Sequence, residues 1–351
     1  MAVKSNSNIA TLFKVSILLL LLTSCAKGNS ESKATTNIST VPSSQGISSS
    51  TTSSLSIQDF GQVFYANDQY SQGSCDGTGN LYYDVLGPTN KGRYPILFGI
   101  TGTGFKGAAG CGSNGKAVYL GFNSTLANFA KAGFVVVNIE YHGYINGLFG
   151  RVTYPGPNQW GLSTDATVQI DVMKAIESFL NSNTSQYGAD PSKGIVVFGS
   201  SSGAHCAYMV GSVGIKGFKI SAVIGWSGLP DVSLSGSYPQ SVFDKYMGTT
   251  QSSDTENFGD PNHRANRSMP PTYIANGLKE FISPVNAETY YSTLQKLGVI
   301  TWLRIPNTSL HAASYENYVF RGVSPELSSP AVANGTTVLQ DSINFAKKFV
   351  S

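Results

Sequence analysis

The chain is short of charge. Of its 351 residues only 12% are Asp, Glu, Lys or Arg, and 23 basic side chains against 20 acidic ones leave a net +3. A nucleic-acid surface needs basic residues gathered on one face, so this balance argues against nucleic acid as a partner. Cysteine is scarce as well: four are too few for a disulfide scaffold and are not spaced as zinc ligands. Histidine is equally scarce, with four in the chain. The 41% apolar fraction is ordinary for a globular protein and excludes wholesale disorder.

Near the start, Lys4 and Lys14 precede an apolar run from Val15 to Leu22. That is the length of a signal-peptide core, well short of the roughly 20 residues a spanning helix needs. The following Leu22-Thr23-Ser24-Cys25 resembles a bacterial lipobox, in which small residues admit the lipoprotein signal peptidase and the Cys receives lipid. The resemblance implies that residues 1–24 are removed and that Cys25 carries acyl chains, anchoring an exported protein to a membrane it does not cross. A plain secretory signal is the alternative. Ala26, rather than Asp, follows the Cys, which in that family favours the outer membrane of the cell envelope. Loss of residues 1–24 takes away two Lys and no acid, lowering the net charge from +3 to +1. From Gly28 to Ser56, 16 of 29 residues are Ser or Thr. Such a stretch buries too little to offset its ordering entropy, so residues 25–58 are expected to form a flexible tether and residues 59–351 the folded domain.

Within that domain, short apolar runs bounded by Gly, Pro or Asn alternate with longer amphipathic ones. Ile96–Ile100, Val135–Ile139, Ile195–Phe198, Ala222–Trp226, Thr272–Ala275 and Ile300–Ile305 predict buried strands. Thr125–Ala132, Ala166–Leu180, Ala204–Val213, Asn286–Leu297 and Val338–Phe349 predict helices. The alternation implies a single α/β domain with a mainly parallel central sheet flanked by helices, its site at the carboxyl ends of the strands.

The third strand runs into Gly199-Ser200-Ser201-Ser202-Gly203 and then a helix, which fits G-x-S-x-G, the nucleophile elbow. In a chain with 38 Gly and 46 Ser, chance alone gives about half a match, so the strand before it and the helix after it carry the reading. Ser201 is the candidate nucleophile. A serine hydroxyl needs a base to take its proton and an acid to orient that base. Of the histidines, His311 alone satisfies the order nucleophile, acid, His, and it lies in a loop just after the last of these strands. His142, His205 and His263 are expected to be structural or exposed.

Asn276-Gly277-Leu278-Lys279-Glu280 follows the fifth strand. It resembles the α/β-hydrolase signature His-Gly-x-x-Asp, with Asn276 for His and Glu280 at the acid position. Asp231, after the fourth strand, is the alternative acid. Thr101-Gly102-Thr103-Gly104 resembles the His-Gly-Gly-Gly oxyanion loop of esterases, which implies that Gly102, Thr103 and Ser202 give the backbone N–H donors. Gly188-Ala189-Asp190-Pro191 matches a turn of secreted esterases and serine peptidases, and the resemblance spans residues 93–350.

The family implied is therefore that of carboxylesterases and lipases, acting on a small-molecule or lipid-like ester through an acyl-enzyme, with no metal or organic cofactor. A serine peptidase or amidase on the same fold, and a catalytically silent binding protein, are the alternatives. Cys75 and Cys111, both in Gly/Ser loops of an exported chain, are expected to pair, and Cys206 to be a core thiol. Tyr144, Leu148, Phe149, Tyr154 and Trp160 make an aromatic loop that could line the pocket.

Overall fold

The computed structural model describes residues 54–67, 80–105, 122–141, 167–234 and 259–351. Thr52–Ser351 forms one compact unit. Its framework is a nine-stranded sheet of order β1-β2-β4-β3-β5-β6-β7-β8-β9. The strands are β1 (Ile57–Asn67), β2 (Asn80–Pro88), β3 (Ile96–Ile100), β4 (Val135–Ile139), β5 (Ile195–Ser200), β6 (Ala222–Trp226), β7 (Thr272–Ala275), β8 (Thr301–Ile305) and β9 (Leu327–Ser329). From β4 to β8 every pairing is parallel, while β1, β2 and β9 pair antiparallel at the two edges.

The central strands are mostly apolar because both of their faces are covered, with Asn138 of β4 and Arg304 of β8 as buried polar exceptions. Successive side chains of a strand point to opposite faces, and the core divides accordingly. Ile96, Phe98 and Ile100 of β3, with Ile195 and Val197 of β5, join the cluster under α2 (Thr167–Leu180), α3 (Ser202–Val213) and α4 (Pro284–Lys296). Leu97, Val196 and Phe198 join the cluster under α1 (Phe122–Lys131) and α5 (Val338–Lys348). Helix α3 is buried on all sides from Ser202 to Gly211, which accounts for its mainly small or apolar sequence, His205 being the exception. No helix among the described residues is long and apolar enough to cross a membrane.

The six strands and five helices expected from the sequence are all present, within three residues at their ends. The edge strands were not anticipated. In β2 buried and half-buried residues alternate as in a one-sided antiparallel strand, and β9 is three residues of Leu-Ser-Ser held by its ladder to β8. Strand β1 also claims Ile57 and Gln58, the last two residues assigned to the tether. Backbone pairing draws them in: they face Pro88 and Gly87 of β2, and Leu55 N–H donates to the Lys131 carbonyl.

The chain leaves β3 to one side, forming β4, and returns on the other as β5. The carboxyl ends of β3 and β5 thus flank a topological switch point, where α/β sheets open a crevice.

Candidate active site

Ser201 sits on the sharp turn between β5 and α3. Its φ is +54° and its ψ −126°, a conformation that a non-glycine residue rarely holds. Glycine on either side makes the turn possible. A Cβ on Gly199 would lie 2.1 Å from the Gly203 carbonyl oxygen, and one on Gly203 would lie 2.0 Å from the Ile100 carbonyl oxygen. Among the described residues only Phe105, Ser201, Ser227 and Ala312 combine a side chain with positive φ. All four are tied to this site by the contacts that follow, and strain of this kind concentrates at functional sites.

Three expected side chains meet here. His311 Nε2 is 2.9 Å from Ser201 Oγ, and His311 Nδ1 is 2.5 Å from Glu280 Oε2. The Phe281 ring lies against the imidazole, with centroids 4.3 Å apart. The Glu280 side chain is wholly buried, and its other oxygen, Oε1, accepts from Gly277 N–H at 2.6 Å and from the Ser227 hydroxyl at 3.0 Å. The carboxylate therefore has partners on both oxygens, as a buried charge requires.

Two supports of this row, Ser227 and Tyr315, were not singled out in the sequence. Ser227 directly follows β6, the strand between those leading to Ser201 and Glu280; its oxygen also accepts from Ala312 N–H at 2.9 Å, fixing the chain beside His311. The Tyr315 hydroxyl lies 2.9 Å from Ser227 Oγ, and burial raises its phenol far above the usual range, so it keeps its proton. Asn276, standing where the family signature has His, donates to the Gly277 and Ile282 carbonyls at 3.1 and 3.0 Å, bracing the loop that carries Glu280. The position of Ser227 was inferable once strand order was known; that of Tyr315, four residues past His311, was not.

Gly102 packs directly on the elbow, where a Cβ would fall 2.3 Å from Ser201 Cβ. Thr101, the residue in place of the family's His, is buried, and its carbonyl accepts from the Tyr141 hydroxyl at 2.8 Å. Of the three expected backbone donors, the N–H groups of Gly102 and Ser202 have no acceptor among the described residues. Thr103 differs from the expectation. Its N–H donates to Ser202 Oγ at 3.0 Å.

Asp231 does not reach His311. It accepts from Ser233 N–H and hydroxyl and from Asn262 Nδ2. His205 is buried beneath the elbow with Nδ1 2.7 Å from the Leu229 oxygen, and desolvation pushes its pKa down to about 4. It stays neutral near pH 7. The Cys206 thiol is buried and free, and burial pushes its pKa up. Cys25, Cys75, Cys111, His142 and the aromatic residues from Tyr144 to Trp160 lie outside the described residues.

No curated protein matches the chain. Among solved structures it is similar to a truncated carbohydrate esterase from gut microbiota, at 18% identity and TM-score 0.53 over 72% of this chain and 88% of that one. It is also similar to a putative carboxylesterase from Lactobacillus plantarum WCFS1, at 12% identity and TM-score 0.57 over 84% of this chain and all of that one. A third is the carboxylesterase Cest-2923 of the same species, at 13% identity and TM-score 0.52 over 73% and 85%. The family model BD-FAE matches residues 83–293, which hold the elbow, the Thr101–Gly104 loop and Glu280. The chain is an esterase-like serine hydrolase of the α/β-hydrolase fold and belongs to the BD-FAE family.

Proposed function

We propose that the protein hydrolyses carboxylic esters through an acyl-enzyme formed on Ser201. As Ser201 Oγ attacks the ester carbonyl, its proton passes to His311 Nε2, while Glu280 holds Nδ1–H and stabilises the imidazolium. The oxyanion accepts from the N–H groups of Gly102 and Ser202 at the head of α3. One such donor is typically worth about 3 kcal/mol in the transition state. His311 then gives its proton to the leaving alkoxide, releasing the alcohol. Water, deprotonated by the same imidazole, attacks the acyl-enzyme, and collapse returns the proton to Ser201 and frees the acid.

The single observation carrying this reading is the unbroken row Ser201–His311–Glu280, with bonds of 2.9 and 2.5 Å. The esterase names of the structural neighbours agree with it, and the substrate class read from them is a small-molecule ester. Turnover of p-nitrophenyl esters is expected in the wild type and is expected to vanish in Ser201→Ala. Hydrolysis of p-nitroanilides in preference to the matching esters would instead make the protein an amidase.

We further propose that export removes residues 1–24 and that Cys25 is lipidated, on the strength of Lys4, Lys14, the short apolar run and Leu22-Thr23-Ser24-Cys25. The full chain made in a bacterial host should incorporate labelled palmitate and sediment with membranes. Cys25→Ala should do neither, and equal labelling of both chains would refute the anchor.

A further inference from the structure

The residue after the nucleophile has a second task. In the proposed mechanism its backbone N–H faces the oxyanion, and any small residue could supply that. Its side chain is spent elsewhere. Ser202 Oγ accepts two backbone N–H bonds from one loop, Thr103 at 3.0 Å and Phe105 at 3.1 Å, and Ser202 is only 1% exposed. The loop it grips is strained, since Phe105 has φ +62° and is fully buried. That loop follows β3 with Thr101 in place of the family's His and Thr103 in place of the middle Gly. On its other side the Tyr141 hydroxyl donates to the Thr101 carbonyl at 2.8 Å and lies 3.3 Å from Thr103 Oγ1. Gly102 thus stands between two fastenings, one on the elbow helix and one at the end of β4.

We propose that the Ser202 hydroxyl is a positioning residue that clamps the oxyanion loop, holding Gly102 N–H at a fixed distance from Ser202 N–H. The inference rests on the ester-hydrolase reading for its catalytic consequence and on the two hydrogen bonds alone for the clamp. Its physical basis is that an oxyanion donor works only when preorganised, and a displacement of about 1 Å costs on the order of 100-fold in rate. The clamp also explains why Thr103 N–H is not a donor to substrate: with its proton on Ser202 Oγ, it serves as the handle by which the loop is held.

The test is Ser202→Ala, which keeps the backbone donor and deletes only the clamp. Steady-state kinetics on a p-nitrophenyl ester should show kcat lowered by about 10- to 100-fold with KM within about twofold of wild type, because the lost interaction is felt mainly in the transition state. Hydrogen exchange, which needs no activity, should accelerate in peptides covering residues 101–105 and stay unchanged over β5 and β6. Those strands report on folding, so a globally unfolded variant would be recognised there; Ser202→Gly, judged on the same exchange readout, provides the second variant. Wild-type kcat in Ser202→Ala, or loop exchange no faster than in the parent, overturns the clamp while leaving the hydrolase reading intact. A wild-type chain inactive on every ester overturns that reading and the catalytic consequence of the clamp together.

Discussion

Two groups of buried carboxylates sit at the same edge of the sheet and do different things. Glu280 follows β7, and Asp231 follows the neighbouring strand β6; they are 8% and 7% exposed. Both accept from backbone N–H groups and from a serine hydroxyl. The difference lies in the remaining oxygen. Glu280 turns Oε2 to His311, whereas Asp231 gives Oδ2 to Asn262 and, with Asp260, binds the chain around residues 231–233 and 260–263 together. Burial and acidity therefore do not mark a triad acid. What sets Glu280 apart as the proposed triad acid is an oxygen aimed at an imidazole that already faces a serine.

The comparison breaks most readily at Glu280 and Asp231. Glu280→Gln keeps the shape and removes the charge, so the imidazolium loses its counter-ion and the imidazole its tautomer; kcat should fall by about 1,000- to 10,000-fold. Asp231→Asn should leave kcat within about threefold while lowering Tm by a few degrees, since it weakens a loop and no step of the chemistry. Reversal of these two effects would exchange the roles of the two acids.

A smaller effect concerns pH. Burial, reinforced by the nearby Asp231 charge, pushes the Asp260 pKa up to about 6 from an ordinary 3.8. The folded form thus holds that proton more tightly than the unfolded chain. The stability this adds is fully present below pH 3.8 and is lost as pH rises through about 6, a swing of about 3 kcal/mol. His205, lowered to about 4, acts in the opposite sense: its contribution is present above pH 6.5 and disappears as pH falls through about 4. In the wild type the two offset one another between pH 4 and 6. Tm of Asp260→Asn should therefore drop more steeply on acidification than that of the parent, and parallel Tm–pH curves would contradict the assignment.

The parts that were legible in the sequence share a cause. Parallel strands buried on both faces leave continuous apolar runs such as Ile96–Ile100, and the elbow leaves two obligatory glycines around Ser201. The order of Ser201, Glu280 and His311 followed from those strands. Edge strands carry half the burial and half the signal, so β1 and β2 passed unnoticed beside a Ser/Thr-rich stretch. Ser227 and Tyr315 have meaning only after the sheet brings β6 and β7 side by side; each is an unremarkable polar residue along the chain. The Ser202 hydroxyl was hidden by its own backbone, which the elbow motif already explained.

An activated nucleophile at Ser201 is the centre of the proposed mechanism. Intact and peptide mass spectrometry after treatment with a fluorophosphonate measures this directly. One adduct, on the peptide bearing Ser201, is predicted for the wild type, with none in Ser201→Ala and slow formation in Glu280→Gln. An unlabelled wild type, or an adduct that persists in Ser201→Ala, would contradict it.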